Sequence, residues 1–245
     1  KLDEYGIKKV KLLKQSKTRY FIASVLAGFY VGLGIFLIMT IGGVTSQNGY
    51  QYKIFMGLGF GIALSLVIMA GSELFTRKNN TTFTRRLKKK NTVKDGISIW
   101  IFSYLGNLAG SMLVGLLFFL SNAANKEVAG FLLNTAKSKM NTPAPDLFFK
   151  GILCNILVCL AVLSAVKLKE ETAKLIMIFW CLFAFITTGF EHSVANMSLF
   201  SAALLYPHPL EISLIGFGYN LFWVTLGNIV GGCALGGAYY IIGKK

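Results

Sequence analysis

Charged residues are scarce in this chain of 245 residues. Only 14% of the residues are Asp, Glu, Lys or Arg, whereas 54% are hydrophobic. A soluble domain would need a larger polar surface, so the composition indicates an integral membrane protein whose length allows one domain of several spans.

The signatures of several other chemistries are missing. The four cysteines (Cys154, Cys159, Cys181 and Cys233) all lie in apolar segments without metal-ligand spacing, which is typical of small buried hydrophobic residues. The chain has no recognisable nucleotide or cofactor motif, and it lacks the paired Asn-Pro-Ala motifs of water and glycerol channels. We therefore expect no metal and no cofactor.

Long apolar runs dominate the chain, each bounded by polar or turn residues. They predict six membrane spans, at about 21–41, 54–75, 97–120, 148–166, 175–203 and 215–242. These spans form a single channel domain over 21–243. Lysines mixed with valine and leucine predict that residues 1–20 form an amphipathic helix on the cytoplasmic face.

Basic residues are distributed unevenly between the loops. Alternate loops and the two termini carry 20 of the 25 Lys and Arg, whereas the opposite loops carry four. This asymmetry predicts a multi-pass protein of the cytoplasmic membrane with both termini in the cytoplasm. The basic run at 85–90 is then a topology signal and a contact for anionic lipid, and we expect no nucleic-acid binding.

Two acidic residues interrupt apolar segments. Glu191 and His192 lie in a stretch that is too long for one span of about 20 residues, and Glu73 ends the second apolar run. Polar groups at this depth need partners, so the pattern predicts helices broken inside the protein around a polar cavity. An internal hydrogen bond between helices is the alternative interpretation.

The chain contains an internal repeat. The Leu-Gly-Asn pattern at 105–115 recurs 121 positions later at 226–236, and Glu73 and Glu191 are 118 positions apart. The unit has three spans, so the repeats, about 21–120 and 148–242, have opposite orientations in the membrane. Asn107 and Asn228 either satisfy backbone groups freed by the breaks or contact a substrate directly.

Five motifs together resemble the formate/nitrite transporter family. They are Ala-Gly-Phe-Tyr-Val-Gly at 27–32, Gly-Ser-Glu-Leu-Phe-Thr at 71–76, Lys-Gly-Ile-Leu-Cys-Asn at 150–155, Gly-Phe-Glu-His-Ser-Val-Ala-Asn-Met at 189–197 and Gly-Asn-Ile-Val-Gly-Gly at 227–232. The resemblance implies an all-α, aquaporin-like fold with spans two and five broken. It also implies a homo-pentamer with one pore per protomer for small monovalent anions such as formate, nitrite or hydrosulfide.

The same resemblance implies roles for individual residues. His192 and Thr76, with Asn107 and Asn228, correspond to the centre of the pore. The remaining positions are an outer constriction of Phe60, Leu64 and Phe185, an inner constriction of Leu74 and Phe75, a vestibule lysine at Lys150, and the helix-break acids Glu73 and Glu191. From its position alone, Lys150 either attracts anions or extends to the headgroups as an anchor.

An apolar constriction poses a problem for an ion, because desolvating a bare anion costs more than one hydrogen bond returns. Either hydrogen-bond donors on His192 and Thr76 carry the ion, or a proton joins it and a neutral acid crosses. Among anions, the composition favours hydrosulfide or formate over nitrite. The alternatives are a pore for neutral solutes, and an enzyme using Glu191 and His192, whose side chains would point about 100° apart on a helix.

Overall fold

Eight α-helices make up most of the described chain. The computed structural model describes residues 13, 15–49, 51–76 and 93–242. The helices are α1 (Lys17–Thr45), α2 (Tyr52–Met69), α3 (Val93–Leu120), α4 (Lys126–Met140), α5 (Ala144–Lys167), α6 (Glu171–Thr187), α7 (Ser193–Ala203) and α8 (Leu214–Ile242), with a 3₁₀ turn at Ser46–Asn48.

The predicted six spans are confirmed. Helices α1, α2, α3, α5 and α8 are each long and apolar enough to cross a membrane, and α6 and α7 together form the remaining span. Their outward faces are apolar: Leu26 and Leu33 of α1 and Ile62 of α2 all expose more than two-fifths of their surface. Such continuous apolar surface is unusual on soluble monomers. The chain is a multi-pass membrane protein.

The two repeats pack alike. In the first repeat α1 lies against α3, in the second α5 lies against α8, and α2 contacts α6 across the repeat boundary. Glycines make the close approach possible, since a Cβ atom at Gly28 would collide with the backbone of Asn107 and one at Gly227 with the Phe148 carbonyl oxygen. Small residues at helix contacts are the usual device for close packing in membranes.

Spans two and five are broken at equivalent points, as predicted. Helix α2 ends at Met69 and α6 at Thr187, and each is followed by a glycine with positive φ: +72° at Gly71 and +75° at Gly189. Glycine adopts this left-handed conformation without steric cost. Helical backbone resumes at Phe75 in the first break and at Ser193 in the second.

One helix was not predicted. We expected a loop over 121–147, but this segment contains α4, whose side chain at Asn125 caps the Val128 N–H at 2.9 Å. Its buried residues recur every fourth position, which is the spacing of one helix face; they are Val128, Leu132, Ala136 and Met140. Many of the other residues of α4 are polar, so α4 is not a long apolar run of the kind from which the spans were predicted.

Two predictions concern segments that the structure describes only in part. The N-terminal amphipathic helix at 1–20 lies outside the described residues except at its end, where α1 begins at Lys17, four residues before the predicted first span. The basic run at 85–90 lies outside them entirely.

Candidate functional site

Asn107 of α3 holds the first helix break. Its Oδ1 accepts the Phe75 N–H at 2.8 Å, and its Nδ2 donates to the carbonyl oxygens of Glu73 at 3.0 Å and Ser24 at 2.7 Å. Glu73, fully buried, donates its own N–H to the Ala23 carbonyl at 3.0 Å. One amide side chain thus satisfies two backbone groups that a continuous helix would have paired internally, and its bond to Ser24 ties the break to α1.

Asn228 of α8 repeats this arrangement at the second break. Its Oδ1 accepts the Ser193 N–H at 3.0 Å, and its Nδ2 donates to the carbonyl oxygens of Glu191 at 3.0 Å and Gly151 at 2.8 Å. Both asparagines are fully buried, and neither lines the two cavities described below. Of their two predicted roles, the geometry supports the structural one.

His192 lies where the two breaks meet. Its Nδ1 accepts the Ala195 N–H at 3.1 Å and thereby caps the first turn of α7, and its Nε2 lies 2.8 Å from Oγ1 of Thr76. An acceptor at Nδ1 requires the neutral ring with its proton on Nε2, which therefore donates to Thr76. Both residues are buried. The predicted contact between the central histidine and the loop threonine is present.

A narrow cavity of about 10 Å³ lies on one side of His192. Its walls are apolar except for the imidazole: Val31, Phe60, Ala63, Leu64, Leu74, Val158, Leu182, Phe185 and His192. The rings of Phe60 and Phe185 meet edge to face, with centroids 5.4 Å apart. Phe75 instead packs its ring against Tyr104, at 5.0 Å between centroids. The residues predicted as an outer constriction thus line the same cavity as Leu74, which was predicted for a separate inner constriction, and Phe75 lies outside it.

A wide cavity of about 430 Å³ lies on the other side, beneath α4. Phe185 and His192 line both cavities and form the junction between them. The charged residues lining the wide cavity are Lys53, Lys139, Lys150 and Glu191. Lys150, predicted as a vestibule lysine, lines this cavity together with two lysines that the sequence analysis did not select.

Lys139 makes the closest contact with the break. Its Nζ lies 2.6 Å from Glu191 Oε1, while Glu191 Oε2 accepts the Asn196 amide at 2.7 Å. Asn196 also donates to Asn220 Oδ1 at 2.8 Å, and Asn220 returns to the Lys139 carbonyl oxygen at 2.8 Å. These hydrogen bonds form a closed ring of four residues that fixes the end of α4 to α7 and α8. They also hold the Lys139 ammonium group against Glu191, the residue that precedes His192.

Sequence reasoning missed Lys139, Asn196 and Asn220. The described partners of the Glu191 carboxylate are the side chains of Lys139 and Asn196. A usable signal existed for Asn196, because it follows Glu191 by five positions in an otherwise apolar segment. Lys139 could have been found only with α4, since its position in space depends on that helix.

Two inverted repeats of three spans, broken at their centre around a passage that is narrow and apolar at one end and wide and cationic at the other, define a membrane channel or transporter. The comparison with protein families agrees. Residues 1–242 match the formate/nitrite transporter model. The chain belongs to the formate/nitrite transporter family.

The chain is also similar to individual proteins over most of its length. It is 44% identical over 225 residues to the nitrite transporter NirC of Salmonella typhimurium, covering 90% of this chain and 81% of that one. Among solved structures it resembles an FNT family ion channel (TM-score 0.92, 38% identity, 100% and 98% of the two chains covered). It also resembles a pentameric formate channel with formate bound (TM-score 0.83, 25% identity, 94% and 98% covered). The predicted family and aquaporin-like fold are confirmed.

Proposed function

We propose that this protein passes small monovalent anions, nitrite or formate foremost, across the cytoplasmic membrane, as a homo-pentamer in which each protomer has its own pore. The observation that carries the proposal is the position of His192 at the junction of a wide cationic cavity and a narrow apolar one. The substrates and the pentamer are supported by the 44% identity to a nitrite transporter and by the likeness to a pentameric formate channel.

The positive-inside asymmetry of the loops supports an orientation. The termini belong on the cytoplasmic side, so the wide cavity beneath α4 opens outward. Anions arriving from outside then meet the lysines first, since a concave cationic surface raises the local concentration of anions. At its base the positive end of the α7 dipole adds to this field.

Passage through the narrow cavity requires the charge to be compensated. The neutral His192 ring holds one proton, on Nε2, which can donate a hydrogen bond to an anion that displaces Thr76. Giving that proton away would leave an anionic ring, so a proton must enter at Nδ1 in the same step and open the bond to the Ala195 N–H. Proton transfer to a weak-acid anion therefore requires the hydrogen bond that caps α7, from the Ala195 N–H to Nδ1, to open.

Other functions fit the site less well. The Glu191 carboxylate is engaged by Lys139 and Asn196, while the His192 ring is engaged by Thr76 and Ala195, so the two do not act as an acid-base pair on one substrate. Within the described residues no three His, Cys, Asp or Glu side chains form a metal site. The three lysines of the wide cavity attract anions but do not favour the entry of a neutral solute.

Flux through proteoliposomes containing the purified protein tests the proposal. Nitrite, formate, hydrosulfide, lactate and chloride should be compared side by side with glycerol as the uncharged control. We expect nitrite and formate to cross fastest and glycerol to cross no faster than in empty liposomes. Glycerol flux without anion flux would make the protein a neutral-solute pore.

The narrow cavity predicts the effect of Phe185→Ala. Phe185 is buried, faces both cavities and packs on Phe60. Its truncation should widen the junction, so that lactate flux rises several-fold and selectivity for smaller anions falls, because an apolar constriction excludes ions by size and desolvation together. Comparing lactate and formate uptake for both proteins measures this. If selectivity and rate stayed the same, the constriction would have to lie elsewhere.

Lys150 predicts a salt-dependent effect. Lys150→Ala should lower flux at low substrate concentration, and the loss should shrink as salt increases, because the attraction is screened over about 10 Å at 0.1 M. Initial rates at two ionic strengths measure the effect. Lys126→Ala, which removes the same charge from an exposed position outside the wide cavity, is the matched control. A loss independent of salt would contradict an electrostatic role.

A further inference from the structure

The wide cavity has a charge excess that a monovalent substrate does not use. It is lined by three lysines and one carboxylate, and that carboxylate is already paired with Lys139. Lys53 and Lys150 have no ion pair with any described acidic residue. Two ammonium groups therefore face the same space without a countercharge from the described part of the protein.

The cavity is also large for a small anion. Its 430 Å³ equals the liquid volume of about fourteen water molecules. Both unpaired lysines line it, so both attract an anion bound there, because electrostatic attraction extends over about 8 Å at physiological salt. Three hydroxyl groups also line the wall; those of Thr135 and Thr142 donate to the carbonyl oxygens of Phe131 and Ser138, and that of Ser138 is a further hydrogen-bond donor.

The other end of the passage closes this cavity to a large ion. Beyond Phe185 and His192 the free volume falls from about 430 Å³ to about 10 Å³, and the lining becomes apolar. A multivalent oxyanion would gain roughly twice the Coulomb energy of a monovalent one from the same lysines, but it would have to lose a much larger hydration energy to pass. Such an ion would bind in the wide cavity and would not pass through the narrow one.

We propose that the wide cavity is a binding site for a multivalent oxyanion of the phosphate, pyrophosphate or sulfate class, held by Lys53 and Lys150, which does not permeate and blocks the entry of small anions. Its occupancy makes anion flux sensitive to multivalent anions on one side of the membrane only. The blocking rests on the proposed transport function, whereas the binding does not.

Calorimetric titration of the purified protein with inorganic pyrophosphate, at ionic strength held constant with chloride, tests the binding. We expect one site per chain, and an affinity at least tenfold weaker in the Lys53→Gln/Lys150→Gln double variant. Lys126→Gln removes one charge from an exposed position of α4 outside the cavity and should bind as the wild type does. Absence of binding, or equal loss in the control, would overturn the proposal.

Formate flux in planar bilayers, with pyrophosphate added to either side, tests the blocking. Flux should fall several-fold when pyrophosphate is on the α4 side and should be unchanged from the opposite side. The double variant should resist the block. If pyrophosphate bound without reducing formate flux, or reduced it equally from both sides, the proposed block of the wide cavity would be refuted. Absence of formate flux in the untreated wild type would count against the proposed function alone and leave the calorimetric result standing.

Discussion

Asn228→Ala is expected to destabilise the protein by about 3 kcal/mol or more, since each buried polar group left without a partner costs about 1 to 3 kcal/mol. The substitution leaves two backbone groups of the break without this partner, the Ser193 N–H and the Glu191 carbonyl, and removes the bond that ties the break to Gly151 of α5. Asn107→Ala should have a similar effect, because it removes the equivalent two hydrogen bonds at the first break and the bond to Ser24 of α1.

The measurement is the fraction of monodisperse protein remaining after heating in detergent, for both variants and the wild type. Asn134→Ala is the control, because Asn134 is exposed and has no hydrogen bond among the described residues. If Asn228→Ala kept wild-type stability but lost transport, the asparagine would have to contact the substrate, which is the alternative role predicted from the sequence.

The second large effect concerns His192→Asn. Asparagine is among the best helix caps, so its Oδ1 can take over the Ala195 N–H and preserve α7. It is too short to reach Thr76 at the same time, whereas the imidazole spans both through opposite ring nitrogens. It also does not titrate. We expect formate flux to fall at least tenfold and to lose its increase as pH falls.

The direction in which flux changes with pH follows from the proposed proton step. Lower pH supplies the proton that must enter the ring at Nδ1, so wild-type flux of a weak-acid anion should rise as pH falls. Chloride gains no neutral form in this range, so its flux should change much less. Flux against pH for both proteins and both anions is the measurement. Parallel profiles for wild type and His192→Asn would leave His192 as a selectivity element without proton linkage.

Much of the fold could be predicted because its signals are local or repeated. Each membrane span is a long apolar run, and the internal repeat predicts that the breaks at Glu73 and Glu191 are equivalent. The helix α4 could not be found this way. It is held by a stripe of four buried residues and by contacts to distant segments, such as that between Lys137 and Glu211 at 2.7 Å.

The candidate site divides in the same way. His192 and Glu191 stood out because ionisable residues are rare in apolar segments. Lys139 did not, because lysines are common in polar loops and its value depends on where α4 ends. The geometry of Asn107 and Asn228 also had to come from the structure, since the sequence was compatible with a contact either to backbone or to substrate.

The equivalence of the two breaks has a consequence for direction. Counting from Gly71 and Gly189, the position three residues on is Leu74 in one half and His192 in the other. A perfectly duplicated molecule would offer an ion the same sequence of encounters from either compartment. Here the imidazole lies at the junction with the wide cavity, whereas the isobutyl group of Leu74 lines only the narrow one. Duplication alone would give two equivalent ends, and divergence at this pair of positions, together with the lysines of the wide cavity, makes the two ends chemically distinct.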